Sequence, residues 1–275
     1  MVLQDEHFAY FNTQVVAKQF FGIIGKIYQV ESILGDLVMI RDGILERYLD
    51  NLLKGDRKAC RAVIEEALQS GTPTNSVYLD LIWPIMVEIE KLQRAEQITA
   101  VQEHLATRIN RTIVDQLQNK LPHRPGKNNK IVVCCNLSEL QELGAQIIAD
   151  LFESDGWDVK FLGGGLSNDD ILAFVNECAP DMLLIYGTAA KQAPEIRRLI
   201  DTVREVNAWP NMRIMLSGGV FNRAEGLWQE IGADLFATTA TEAVHAASSD
   251  SPIEAAESRN RRGKRLKRTA QKLPV

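Results

Sequence analysis

Two periodicities in succession predict an α/β chain: a helical bundle at the N-terminal side, then a doubly wound, five-stranded parallel sheet. From Asp42 to about Leu121 apolar residues recur at three and four, the period of amphipathic helix. Beyond residue 131 short apolar runs alternate with amphipathic segments, the signature of a parallel sheet covered on both faces. Between the two, Leu121-Pro122-His123-Arg124-Pro125-Gly126-Lys127-Asn128-Asn129-Lys130 has the prolines, glycine and polar run of a linker. The expected division is a helical extension (1–40), a four-helix bundle (41–121), a linker (122–130), an α/β domain (131–250) and a basic tail (251–275).

In the bundle, Ile44, Tyr48, Leu49 and Leu52 stripe a first helix, which Gly55 closes, and Asp56 caps the next. Cys60, Val63, Ile64, Ala67 and Leu68 stripe the second, and Gly71-Thr72-Pro73-Thr74-Asn75 ends it in a turn. Leu79, Ile82, Trp83, Met86, Ile89 and Leu92 mark a third helix, which Pro84 is expected to kink. Val101, Leu105, Ile109, Ile113 and Leu117 mark the fourth, and the short connections argue for up-down topology. Residues 8–40, with Phe8, Phe11, Phe20 and Ile24, add further helix, a candidate homo-oligomer surface.

In the α/β domain the apolar runs 131–135, 159–162, 182–186, 214–216 and 235–236 are the expected strands. Helices are expected at 142–153, 168–177, 194–205 and 223–230. In the flavodoxin-like strand order, ligands bind at the carboxyl edge where the winding reverses, between the first and third strands. Gly163-Gly164-Gly165, Gly187 and Gly218-Gly219 all fall on that rim. They either form tight turns or allow a large flat ligand to approach the backbone.

Composition bounds the function. Four cysteines at uneven spacing fit neither a disulfide framework nor a zinc ribbon, no segment reads as a membrane span, and a cytoplasmic protein is expected. The net charge of −5 hides an asymmetry: the last 25 residues carry eight Lys/Arg against two Asp/Glu, so the remainder stands at −11. Residues 259–268 hold seven of those cations with almost no apolar content, which suits either a solubilising tail or an arm for nucleic acid or an acidic protein. Cys134-Cys135 places one thiol on each sheet face, where a thiolate could bind metal or attach a bilin, although burial in the core is the commoner fate of cysteine. Cys134-Cys135-Asn136, which lacks the acidic pair that would hold magnesium, argues against a phosphate-accepting receiver domain.

The loop after the first strand, Ser138-Glu139-Leu140-Gln141-Glu142-Leu143-Gly144, resembles the D/E-x-H-x-x-G loop of cobalamin-binding domains. Gly156-Trp157-Asp158-Val159-Lys160-Phe161-Leu162-Gly163, Gly218-Gly219 and Gly232-Ala233-Asp234 match as well. Tyr78-Leu79-Asp80-Leu81-Ile82-Trp83-Pro84 and Ile98-Thr99-Ala100-Val101-Gln102-Glu103-His104-Leu105-Ala106 resemble the helical cap of methionine synthase-type modules. Over roughly 43–247 the chain is similar to that family, and most to its cobalamin-dependent photoreceptors and related tetrapyrrole sensors.

The resemblance implies a corrinoid between cap and sheet, contacted by Glu139, Gln141, Gly144, Gly163, Gly164, Tyr186, Gly187, Thr188, Gly218, Gly219, Gln93, Glu103 and His104. Three of these depart from the pattern. Gln141 stands where a histidine ligates cobalt, Tyr186 where a serine meets the displaced nucleotide tail, and Gln93 where the sensors carry a tryptophan. His104, beside Glu103, is the remaining candidate for a metal ligand, since a carboxylate can orient an imidazole. The expected function is a non-catalytic, light-responsive or redox-responsive sensor binding cobalamin, with heme or biliverdin as other tetrapyrroles. The alternatives are a ligand-free adaptor and the corrinoid subunit of a methyltransferase.

Overall fold

The computed structural model describes residues 43–135 and 142–248. The expected extension (1–40), most of the loop with Glu139 and Gln141, and the basic tail (251–275) lie outside the described residues. The chain divides into two units, 1–50 and 51–275; of the first, residues 43–50 are described, and they are helical.

In the second unit, α1 (Arg57–Gln69) starts at Asp56, whose carboxylate accepts from the Ala59 N–H at 2.9 Å. A short α turn (Thr74–Ser76) leads into a π-helical stretch (Val77–Ile82) and then α2 (Trp83–Arg94). Pro84 lies in the first turn of α2, and just before it the helix widens so that Trp83 N–H reaches back five residues to the Tyr78 carbonyl. The expected kink is thus taken up as a π-helical widening, one of the ways a helix accommodates a missing N–H. Helix α3 (Ala100–Leu117) opens with a capping box between Thr99 and Gln102. Its inner face buries Ala106, Ile109, Ile113 and Leu117, whereas Val101 and Leu105, expected on that face, are exposed.

The sheet consists of β1 (Lys130–Cys135), β2 (Asp158–Gly163), β3 (Met182–Tyr186), β4 (Arg213–Ser217) and β5 (Leu235–Ala237). All pairings are parallel, in the order β2-β1-β3-β4-β5, which is flavodoxin-like. The connecting helices are α4 (Leu143–Ser154), α5 (Asn168–Cys178) and α6 (Ala193–Val206). Val132, Cys134, Leu183, Ile185, Ile214 and Leu216 form one inner face against Ile171, Val175, Ile196 and Leu199 of α5 and α6. Alternation sends Tyr186 to the opposite face, towards α4.

The single helix expected at 223–230 is instead two short ones, α7 (Gly219–Arg223) and α8 (Leu227–Ile231), separated by Gly226 in the left-handed region. A final helix, α9 (Ala240–Ser248), packs on α4 and β5. Its alanine-rich stripe (Ala240, Ala243, Ala247) is apolar enough to bury but too small to stand out in the sequence. The proline-rich stretch 122–130 runs within the second unit, where Arg124 and Lys127 reach the Asp155 carboxylate at 2.8 and 2.5 Å.

Candidate functional site

A cavity of about 210 Å³ lies between α2 and α3 above and the carboxyl ends of β3 and β4 below. Trp83, Met86 and Glu90 of α2 and Glu103, Thr107 and Asn110 of α3 form its roof. Its floor is Leu143, Tyr186, Thr188, Gly218 and Gly219. Roof polarity is built in rather than incidental: Asn110 is buried, and buried Glu103 accepts from the Thr107 hydroxyl at 3.0 Å.

The floor is shaped by two glycines whose missing side chains are replaced by a neighbour's. Tyr186, 5% exposed, lies directly over Gly144: a Cβ there would strike the phenol oxygen and stand 2.6 Å from Cζ. Gly218 adopts φ +107°, and a Cβ would strike the Gly187 carbonyl oxygen, so only glycine fits where β4 turns into α7. The loop after β3 is held by buried Gln192, whose Oε1 accepts from the Thr188 and Ala189 N–H groups at 3.1 and 3.0 Å.

Three of the polar contacts that join cap and sheet among the described residues involve charged or buried groups of the cap. Arg223 of α7 donates to Glu90 of α2 at 2.5 Å and to the Thr188 carbonyl at 2.5 Å. Arg111 of α3 pairs with Glu142 at 2.6 Å, and the other Glu142 oxygen accepts from Gly164 N–H at 2.8 Å, so one carboxylate links the cap to the start of α4 and the end of β2. At the third contact Tyr78 donates within reach of both the Val114 carbonyl (2.8 Å) and Asp150 of α4 (3.1 Å). Burial pushes the Asp150 carboxyl up to about 7, and the Tyr78 hydrogen bond opposes that rise only partly; burial and the Asp150 charge also raise the Tyr78 phenol.

The structure brings Glu103, Gly218, Gly219, Tyr186 and Thr188 together at the cavity. Gly163 and Gly164 surround the Glu142 carboxylate, while Gly187 packs on Ile196, Val220 and Phe221. Gln93 is half-buried on α2 away from the wall, and His104 points outward with 69% of its side chain exposed, 3.7 Å from Glu103. Among the described residues, no cluster of three His, Cys, Asp or Glu side chains is placed to hold a metal. Both thiols of Cys134-Cys135 are buried, and burial pushes Cys134 up to about 12, which suits packing rather than thiolate chemistry. Sequence reasoning missed Arg223, Arg111 and Glu90. Only Asn110, a polar residue inside the Ile109–Ile113 stripe, left a local signal.

A helical cap over the switch point of a flavodoxin-like sheet, with a cleft between them, defines a capped ligand-binding module. Two family models, each described as a B12 binding domain, match residues 44–118 and 129–248. The chain therefore belongs to the B12-binding family in both its cap and its sheet, and cobalamin is the cofactor that membership assigns to it. It is similar to a corrinoid protein of Desulfitobacterium hafniense (strain Y51), 28% identical over 124 residues, which are 43% of this chain. The match spans 54%, about half, of that relative's length. The monomethylamine corrinoid protein of Methanosarcina barkeri shares the fold, with a TM-score of 0.65 at 17% identity over 75% of this chain and 97% of that one. None of these likenesses points to heme or biliverdin.

The residues present fit a corrinoid in part. The glycine-lined rim and Trp83 above it suit a flat macrocycle. The volume does not: pockets for drug-sized ligands measure about 300–1,000 Å³, and a corrinoid is larger than such ligands. With the cap seated as described, the cleft is smaller than a typical ligand pocket, and Tyr186 fills the space over Gly144.

Proposed function

We propose that this chain is a non-catalytic regulatory protein that binds a corrinoid between cap and sheet and reports occupancy by displacement of the cap. The observation that carries the reading is the 210 Å³ cleft bridged by Glu90–Arg223 and Arg111–Glu142. A ligand too large for the closed form binds only a more open one, so binding must shift the cap equilibrium by the difference in affinity between the two. Glu103, Trp83 and Asn110 would meet the upper face, and the glycines of the rim the lower. When bound, the corrinoid supplies a chromophore and a redox-active cobalt; the protein supplies the two surfaces and the exclusion of water. Gln141 supports a non-catalytic role, because a neutral amide is a poor cobalt ligand where the family uses histidine.

Hydrogen exchange of the full chain with and without hydroxocobalamin tests this. Expected is retention of corrinoid absorbance after gel filtration, with faster exchange at the cap–sheet contacts of α2 and α3. Retention with unchanged exchange would refute the coupling, and no retention would leave a ligand-free adaptor. Illumination of the adenosylcobalamin-loaded protein tests the light response: recovery of the unliganded exchange pattern supports it. The second reading, a methyl carrier, is favoured by the likeness to corrinoid proteins and would be established by methyl transfer from the loaded chain to an added acceptor. The basic arm 259–268 is proposed as the output surface for nucleic acid. Binding that falls steeply with salt and vanishes on deletion of 251–275 supports it; an acidic protein partner replaces it if none is seen at low salt.

A further inference from the structure

We infer that Tyr186 is a specificity-determining residue that closes the crevice between β1 and β3, so that this protein selects corrinoids lacking a nucleotide arm over those that carry one. The inference rests on the corrinoid reading above and goes further by naming which corrinoids are taken.

Strand order reverses between β1 and β3, and the crevice at that point is where a ligand can descend into a doubly wound sheet. Cys135 and Tyr186 are register partners there, the last residues of their strands. Alternation turns Ile185 into the α5–α6 core and Tyr186 to the α4 face, at the start of α4. The residue facing it is Gly144, and the two are complementary: the phenol fills the volume that a Cβ at 144 would occupy, with Cζ 2.6 Å and Cε2 3.1 Å from that point. Leu143 lines the cavity floor with Tyr186, which is almost wholly shielded from solvent. Among the described residues, Tyr186 therefore fills the mouth of the crevice beside Gly144.

Lifting the cap changes the roof of the cleft without removing this plug, because Tyr186 and Gly144 both belong to the sheet side. A macrocycle can then rest on the glycine rim, but a base, sugar and phosphate hanging from its lower face meet a close-packed ring. Displacing that ring would cost the burial of an aromatic side chain, whereas a truncated corrinoid incurs no such cost. A misfit of a single methylene in a pocket is already worth about 10–200-fold in selectivity, and a nucleotide arm is far bulkier.

The test is equilibrium titration of the full chain with dicyanocobinamide, which has no nucleotide arm, and with cyanocobalamin, followed by quenching of tryptophan fluorescence. Expected is wild-type affinity at least about tenfold higher for the cobinamide. Tyr186→Ser should bring cobalamin to within about threefold of cobinamide, and Tyr186→Phe should keep the wild-type preference, since bulk rather than the hydroxyl is responsible. Equal or tighter wild-type binding of cobalamin overturns the inference and leaves the corrinoid reading standing. Binding of neither ligand overturns both. The wild-type and Phe comparisons decide the matter even where the serine variant fails to fold.

Discussion

At the scale of single residues, the site depends on positions where one side chain occupies the space another lacks. Gly218 combines a glycine-only backbone with a carbonyl in the way of any Cβ, so Gly218→Ala should destabilise the fold by about 1–3 kcal/mol or more, measured by denaturant unfolding. A change within error would mean that the turn into α7 relaxes freely. Glu103 and His104 are adjacent in sequence but differ in consequence, because Glu103 is in the cavity roof and His104 in solvent. Glu103→Gln should alter the spectrum of a bound corrinoid and His104→Ala should not; the reverse result would place the imidazole at the ligand. The sequence marked the pair through its likeness to a cap motif, but at this turn of α3 only the first of two neighbours faces inward. Gln141 and Tyr186 were legible as departures, whereas the fit of Tyr186 over Gly144 depends on β1–β3 register, which no local pattern contains.

At the scale of elements, the cap is held by contacts of unequal strength. Glu90–Arg223 and Arg111–Glu142 are partly exposed, and pairs of that kind are worth about 0–1 kcal/mol. Arg111→Ala with Arg223→Ala should therefore barely lower the melting temperature but increase the corrinoid association rate several-fold, as stopped-flow absorbance would show; an unchanged rate would remove these pairs as latches. The third contact is a proton-sensitive one. Tyr78 has one proton for two acceptors, so the geometry is fully satisfied when Asp150 is protonated; Asp115 of α3 and Glu153 of α4 are the other acidic groups facing it. Nearby, Gln146 donates to Asp115 at 2.7 Å, but its own oxygen is buried without a partner among the described residues, a further cost of the closed contact. Because the folded-state value of Asp150 is raised, its stabilising effect is complete below the ordinary carboxylate range and is lost as pH rises through about 7. Between about pH 5 and about pH 8 the wild type should lose stability relative to Asp150→Asn; parallel melting curves would show that Asp150 is already ionised in the fold. The apolar stripes located the long elements, while the split of the 223–230 segment follows from the left-handed Gly226 and the π-helical stretch from Pro84.

At the scale of the whole molecule, the sheet order and the cap over its switch point were legible because strand and helix periods are long-range redundant: each of five strands repeats the same signal. The polar contacts that close the cleft were not, since Glu90 and Arg223 are 133 residues apart and each reads alone as a solvated charge. On the proposed reading a family fold is retained around an altered interior, and a bound corrinoid would take no nitrogen ligand from the protein below. Electron paramagnetic resonance of the cobalt(II) corrinoid bound to unlabelled and to nitrogen-15-labelled full-length protein measures that most directly. Expected are identical spectra without nitrogen splitting of protein origin. A splitting that changes its multiplicity with the label would show a protein nitrogen on cobalt and contradict a binding mode without a lower ligand from the protein.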